Sequence, residues 1–284
     1  MTQALRIEGL CKQYPTFALR DVSFTMQAGT IMGLIGRNGA GKTTTLKSML
    51  HLVRPDAGRV EILGMDMDTQ EQEIRCKLGF VSGGLSYYPR KRLSQITAAT
   101  RRFYPDWDEA RYQSLLSRFA LREEKRTSEL SEGMKVKYQL ALAMSHGAQL
   151  LILDEPTSGL DPVSRDVLLE LLLSLCEEEG VSILFSTHII SDLEACADAI
   201  TYIQNGRVFS STTKEELLRR YVLVEGTQER LTPQLDAALL GKKQHHGTFS
   251  GLLCADSVPL AAGCAVSAAG LEQVMVYLER EAEK

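Results

Sequence analysis

The sequence predicts an α/β fold: a largely parallel sheet, a helical insertion mid-chain and a small α/β appendage after residue 221. Three observations carry this. The runs 31–35, 150–153 and 183–185 are continuously apolar, as strands are when both faces of their sheet are covered. Short β-rich runs alternate with helical stretches through the first 221 residues, the pattern of βαβ units. Beyond Tyr221 the texture changes, to a short strand, a helix, a strand and a final helix.

Taken in order, strands are expected at 5–10, 19–26, 30–35, 60–63, 79–82, 150–154, 182–187 and 199–203. The first two alternate apolar and polar residues and are expected to pair antiparallel. The segment 84–145 reads as mostly helical, is richer in Arg and Tyr than its flanks, and is expected as an insertion between sheet strands. One helix is bracketed at both ends: Asp161 caps it, Pro162 takes its first position and Gly180 follows its end. Its apolar stripe is Val167, Leu168, Leu171, Leu172 and Leu175. Asn205-Gly206 between 199–204 and 207–210 signals a hairpin. In the appendage a strand is expected at 222–224, a helix at 233–240, a strand at 248–254 and a helix at 271–281. The expected domains are therefore 1–221 and 222–284.

The 284 residues suffice for one large domain and a small one. Net charge is -4, without the basic excess of a protein that grips nucleic acid by its phosphates, so nucleic acid is not an expected partner. No apolar run reaches the length of a membrane-spanning helix; 168–175 is interrupted by Glu170 and Ser174. Residues 1–10 carry Arg6 and Glu8 and lack the apolar core of a signal peptide. The expectation is a cytoplasmic protein, so that work at a membrane would need another chain to span it. Cysteines 11, 76, 176, 196, 254 and 264 form no Cys-x-x-Cys and no Cys/His cluster, and read as reduced thiols. His245-His246 reads as an exposed loop.

Residues 36–43, Gly-Arg-Asn-Gly-Ala-Gly-Lys-Thr, fit G-x-x-x-x-G-K-[ST], after an apolar strand and before a helical run. Glycines allow backbone N–H groups to turn inward around phosphate oxygens, and the following helix adds its positive N-terminus. Gly36, Asn38, Gly39, Ala40, Gly41, Lys42, Thr43 and Thr44 form the expected phosphate-binding set. Lys42 is placed for the β- and γ-phosphates and Thr43 for Mg²⁺.

The run 150–155 is an apolar strand ending in Asp154-Glu155. Carboxylates at the end of a buried strand need a compensating partner. Asp154 is expected to hold Mg²⁺ together with Thr43, and Glu155 to act as general base on the attacking water. His188 follows the buried strand 182–187 and brings a third polar residue to the same sheet edge, where such folds bind ligands.

Between these motifs lies Leu130-Ser131-Glu132-Gly133-Met134, just ahead of a helix. With it the sequence resembles an ABC-transporter ATPase from residue 4 to about 221. Residues 130–134 resemble the family signature Leu-Ser-Gly-Gly-Gln; Ser158-Gly159-Leu160-Asp161 resembles its D-loop; His188 matches its switch histidine; and Tyr14 matches the aromatic that stacks on adenine. The resemblance implies a P-loop NTPase of ABC type: a RecA-like core, an antiparallel β subdomain and a helical subdomain at about 84–145. It also implies a head-to-tail dimer, homo- or heteromeric, that sandwiches two ATP molecules. Each ATP lies between the phosphate loop of one domain and the signature of the other, where Ser131 and Gly133 make the phosphate contacts; Asp161 of the D-loop joins the implied nucleotide-binding set. An integral membrane permease is the further implied partner, which places the chain on the inner face of the membrane.

Three positions depart from the family. Glu132 and Met134 replace Gly and Gln in the signature, and Gly83 stands where a glutamine usually follows the strand at 79–82. Segments 103–108, 133–137 and 186–194 resemble ATPases of ABC-2-type exporters of Gram-positive bacteria, which include exporters of amphipathic peptides. Tyr87, Tyr88 and Arg90, with Arg101, Arg102 and Phe103, fall where the family docks its permease. A soluble ABC ATPase of ribosomes or DNA would carry two nucleotide domains or a long coiled coil, and this chain has one phosphate loop. An importer ATPase and a non-catalytic regulatory module are also open readings; the intact Lys42, Asp154, Glu155 and His188 oppose the latter.

Overall fold

The alternating runs at the start of the chain become β1 (Gln3–Gln13) and β2 (Ala18–Gln27), paired antiparallel as their pattern requires, with Arg6 opposite Thr25. The computed structural model describes residues 2–82 and 88–282. β3 (Ile31–Ile35), buried at all five positions, runs into the glycine-rich loop and α1 (Lys42–Met49). β4 (Ala57–Ile62) and β5 (Met65–Asp66) complete a first sheet of order β2-β1-β4-β5. α2 (Glu71–Lys77) then leads into β6 (Leu78–Ser82).

The expected helical insertion holds α3 (Leu93–Thr100), α4 (Glu109–Arg118) and α5 (Glu132–Ser145). Three buried hydroxyls join them. Thr97 Oγ1 lies 2.7 Å from the Tyr112 hydroxyl and 2.8 Å from that of Tyr138, which in turn donates to the Leu93 carbonyl at 3.1 Å. Each buried phenol is thereby satisfied, and burial pushes both phenols above their ordinary value.

β7 (Leu150–Asp154), α6 (Pro162–Glu179), β8 (Ser182–Thr187), α7 (Ile190–Cys196), β9 (Ala199–Gln204) and β10 (Arg207–Thr213) complete a six-stranded sheet of order β10-β9-β3-β8-β7-β6. From β9 to β6 all neighbours are parallel. Ile35 is level with Thr187, and Asp154 with Ser186 and Ser82. The carboxyl ends of β3, β8 and β7 therefore share one edge. The β9–β10 turn has Asn205 at φ 49 and Gly206 at φ 75, the two left-handed positions of a type I′ hairpin. A Cβ at Gly206 would lie 1.9 Å from the Ala18 carbonyl oxygen, so glycine is required by contact as well.

α6 starts as expected. Asp161 accepts from the Ser164 N–H at 3.0 Å, Pro162 follows, and Gly180 at φ 68 ends the helix. The stripe differs at one member: Val167 is exposed and Leu169 is buried beside Leu168, Leu171, Leu172 and Leu175.

The chain divides into two compact units, Met1–Ser211 and Thr212–Lys284, earlier than the expected 221/222. The reason is that α8 (Lys214–Arg219) packs on β11 (Tyr221–Thr227). In this second unit α9 (Pro233–Ala238), β12 (Leu240–His245), β13 (Thr248–Cys254), β14 (Ala265–Ala268) and α10 (Leu271–Ala282) follow. The sheet order is β12-β13-β11-β14, antiparallel throughout, with a core of Val224, Leu235, Leu239, Phe249, Leu253 and Ala261. Both edge strands escaped the sequence reading. β12 is polar from Lys242 to His245, and β14 is four exposed residues without alternation. The His245-His246 pair is exposed as expected, with one difference: His245 ends β12, while His246 (φ 47) with Gly247 (φ 79) makes a second type I′ turn. Among the described residues no helix is long and apolar enough to cross a membrane.

Candidate functional site

The loop after β3 is shaped by what it must avoid. Gly36 has φ 153, and a Cβ there would lie 2.2 Å from the Ile203 carbonyl oxygen of β9. Only a glycine lets the chain pass so close to the neighbouring strand. The loop delivers Lys42 to the first position of α1, where it is 5% exposed. Its ammonium donates to the Gly36 carbonyl at 2.8 Å and the Arg37 carbonyl at 3.4 Å, and lies 3.5 Å from Glu155 Oε1. These oxygens offset the cost of burying the charge. The first turn of α1 adds N–H groups that have no partner within the helix.

β7 ends in the predicted acid pair. Asp154 is 7% exposed, and its Oδ1 accepts from the Ser186 hydroxyl at 2.6 Å and the Thr43 hydroxyl at 3.2 Å. Hydroxyl and carboxylate oxygens at that spacing suit a hard cation such as Mg²⁺. Among the described residues no cluster of three or more His, Cys, Asp or Glu forms a metal site by itself. A cation between Thr43 and Asp154 would take its remaining ligands from phosphate and water. Glu155 turns into the left-handed region at φ 52, held there by its N–H, which is shared between the Ser186 carbonyl and Ser186 Oγ, each at 3.1 Å. Such a conformation costs a non-glycine residue about 1–2 kcal/mol and is concentrated at functional sites. The turn aims the carboxylate between Lys42 and His188, whose Nδ1 is 2.7 Å from Glu155 Oε2.

These groups open on a cavity of about 670 Å³ walled by Phe17, Asn38, Lys42, Thr43, Glu155 and His188. Gly39, Gly41 and Thr44 also line it, while Ala40 is buried behind. Asp154 reaches it through Thr43. Tyr14 does not line the wall. Its ring lies under the Lys12 ammonium at 5.9 Å, and its N–H donates to the Phe17 carbonyl at 2.8 Å. Ser131 caps α5 by accepting from the Met134 N–H at 3.3 Å, with Gly133 in that helix's first turn. Ser131, Gly133 and Asp161 are not on the cavity wall of their own chain. Phe17 and Ser186 were missed by sequence reasoning. Ser186 carried a faint signal, a polar residue inside an apolar strand, but its partner follows only from the β7–β8 register.

Gly83 and Tyr87 lie outside the described residues. Tyr88 is exposed and borders a second, more apolar cavity of about 650 Å³ with Lys91, Phe103, Tyr104, Leu142 and His146. Tyr104 stacks on His146 with centroids 3.9 Å apart and planes 8° from parallel. Arg90, Arg101 and Arg102 do not line this groove; Arg101 pairs instead with Glu109 at 3.6 Å.

Comparison with known proteins follows the same outline. The family described as ABC transporter matches residues 19–158. The ABC transporter ATP-binding protein NatA of Bacillus subtilis (strain 168) is 34% identical over 206 residues, 70% of this chain and 83% of NatA. The bacitracin transport ATP-binding protein BcrA of Enterococcus faecalis is 32% identical over 223 residues, 78% of this chain and 72% of BcrA. A solved structure described as the ATP binding subunit of an ABC transporter superposes with a TM-score of 0.68 at 30% identity, covering 76% of this chain and 92% of that one.

Proposed function

The chain belongs to the ABC transporter family as an ATPase subunit, and from that premise we propose that it binds Mg-ATP in the cavity between β3 and β7, hydrolyses it through Glu155 and His188, and powers export through a membrane permease. The observation that supports this best is the convergence, on one edge of the parallel sheet, of the 36–43 loop, Asp154-Glu155 and His188. The loop and helix N–H groups bind the phosphates, joined by Lys42. Thr43 and Asp154 hold Mg²⁺, which neutralises phosphate charge. Glu155 takes the proton of the attacking water, and His188, bonded to Glu155, orients that carboxylate and reaches toward the γ-phosphate. Tyr14 stacks on adenine, with Phe17 as the adjoining wall. Ser131, Gly133 and Asp161 serve the site of a second ATP-binding subunit in a head-to-tail dimer.

The groove of Tyr88, Lys91, Phe103 and Tyr104 takes the cytosolic part of the permease, which holds the chain at the inner face of the membrane. Exposed aromatic and cationic side chains around an apolar floor are the composition of an interface anchor. A peptide or toxin is the proposed cargo class, a reading supported by the likeness to a protein named for bacitracin transport. The test is phosphate release by the purified chain with its permease. Glu155→Gln is expected to keep ATP binding, to accumulate an ATP-dependent dimer and to lose turnover by about 10²–10⁴-fold, the usual contribution of a general base. Near-wild-type release from that variant would remove Glu155 from the mechanism.

A further inference from the structure

We infer that Asp192 is a positioning residue for hydrolysis: it pins the 155–161 loop to the segment that carries His188. Asp192 lies in the first turn of α7, four residues past His188, and is 1% exposed. Thr157, two residues past Glu155 and 0% exposed, donates its hydroxyl to Asp192 Oδ2 at 2.7 Å. Arg165, at the start of α6, places its Nε 3.9 Å from Oδ1, and that Nε makes no hydrogen bond of its own. One carboxylate thus holds both ends of the chain from 157 to 165, the stretch that contains Ser158-Gly159-Leu160-Asp161.

Such a pin has a cost that a purely structural residue would avoid. Burial pushes the Asp192 carboxyl up, opposed by the Thr157 bond and by the Arg165 and His188 charges, while Glu155 adds to the rise. An apolar side chain there would carry no such desolvation penalty. The geometry gives the carboxylate its use. Glu155 and His188 are bonded at 2.7 Å, and Thr157 and Asp192 at 2.7 Å, so two struts join the same two segments. Two struts fix orientation where one would leave a pivot. A displacement of the 158–161 turn, which the proposed dimer presents to the partner subunit, is carried through Thr157 and Asp192 to His188. The inference rests on the proposed ATPase reading and adds to it a route by which the partner's presence sets the hydrolytic geometry.

The experiment is steady-state ATPase kinetics of the full chain with its permease, comparing Thr157→Val, Asp192→Ala, the double variant and Thr157→Ser. Loss of the strut is expected to lower kcat roughly tenfold while the KM for ATP stays within about twofold, the pattern of an interaction that matters in the transition state. Thr157→Ser keeps the hydroxyl and is expected to keep kcat within about twofold, and the double variant is expected to be no slower than the slower single one, as for two partners of one bond. If Asp192→Ala does not fold, the contrast between Thr157→Val and Thr157→Ser decides. A wild-type kcat in Thr157→Val, a loss shared equally by Thr157→Ser, or a rise in KM that accounts for the whole loss overturns the inference. Failure of the wild-type chain to hydrolyse ATP with its permease would instead overturn the underlying function.

Discussion

Asp154 is held by two hydroxyls from different parts of the chain, Thr43 at the start of α1 and Ser186 on β8. Removing the Ser186 donor leaves a buried carboxylate one hydrogen bond short. Ser186→Ala is therefore expected to cost about 1–3 kcal/mol of stability, read as a lowered denaturant midpoint with an unchanged slope. An unchanged midpoint would mean that Thr43 alone satisfies Asp154. The adenine side poses a choice between neighbours. Tyr14→Ala is expected to weaken ATP binding by roughly 1–3 kcal/mol, the range for base–aromatic stacking, and GTP is expected to bind as well because stacking does not read the base edge. If Phe17→Ala weakens ATP and Tyr14→Ala does not, the stack belongs to Phe17, the aromatic on the cavity wall. At this scale the sequence revealed residues whose spacing encodes chemistry: 36–43, Asp154, Glu155 and His188. It offered only a polar residue within an apolar strand for Ser186 and nothing for Phe17, because strand register and loop path decide what they touch.

At the scale of elements, the helical segment 93–145 carries its own polar core and the groove beside it. Tyr88→Ala with Phe103→Ala is expected to leave ATPase activity of the isolated chain unchanged and to weaken capture of the permease in a pull-down. Full capture would place the docking surface elsewhere. His146 sits under Tyr104 at the end of α5, where burial holds its imidazole below the ordinary 6.5 despite the bond to the Cys76 carbonyl at 3.1 Å. The unfolded chain therefore takes up a proton first as pH falls. The stability contribution is complete above 6.5 and is lost as pH drops through the lower folded value. Melting temperature is expected to fall as pH drops below 6.5, and less so in His146→Phe, which keeps the stack but has no proton to bind. An identical pH profile in the variant would assign the fall to other groups. Elements with strong periodicity or bracketed ends, such as β3, β7, β8 and α6, were legible in the sequence. β12 and β14 were not, since an edge strand owes its existence to its neighbour's hydrogen bonds rather than to its own apolar pattern.

For the whole molecule, each unit has its own core, and every described wall residue of the 670 Å³ cavity belongs to the first. A chain ending at Ser211 is expected to keep its ATP affinity; a loss above about tenfold, roughly 1.4 kcal/mol, would show that the second unit supports the site. The layout of the sheet also has a consequence for synthesis. β3 emerges early, but its two neighbours are β8 and β9, and roughly 150 residues separate Ile35 from Ser182. At about 5–20 residues per second, a strand apolar at all five positions waits on the ribosome for roughly 7–30 seconds with neither flank paired. Stalled nascent chains that stop short of Gln204 are expected to be cleaved readily by protease within the 31–49 stretch. Chains long enough to free β9 from the exit tunnel are expected to resist. The 36–43 loop is translated well before β9, yet it takes shape only when that last parallel strand arrives.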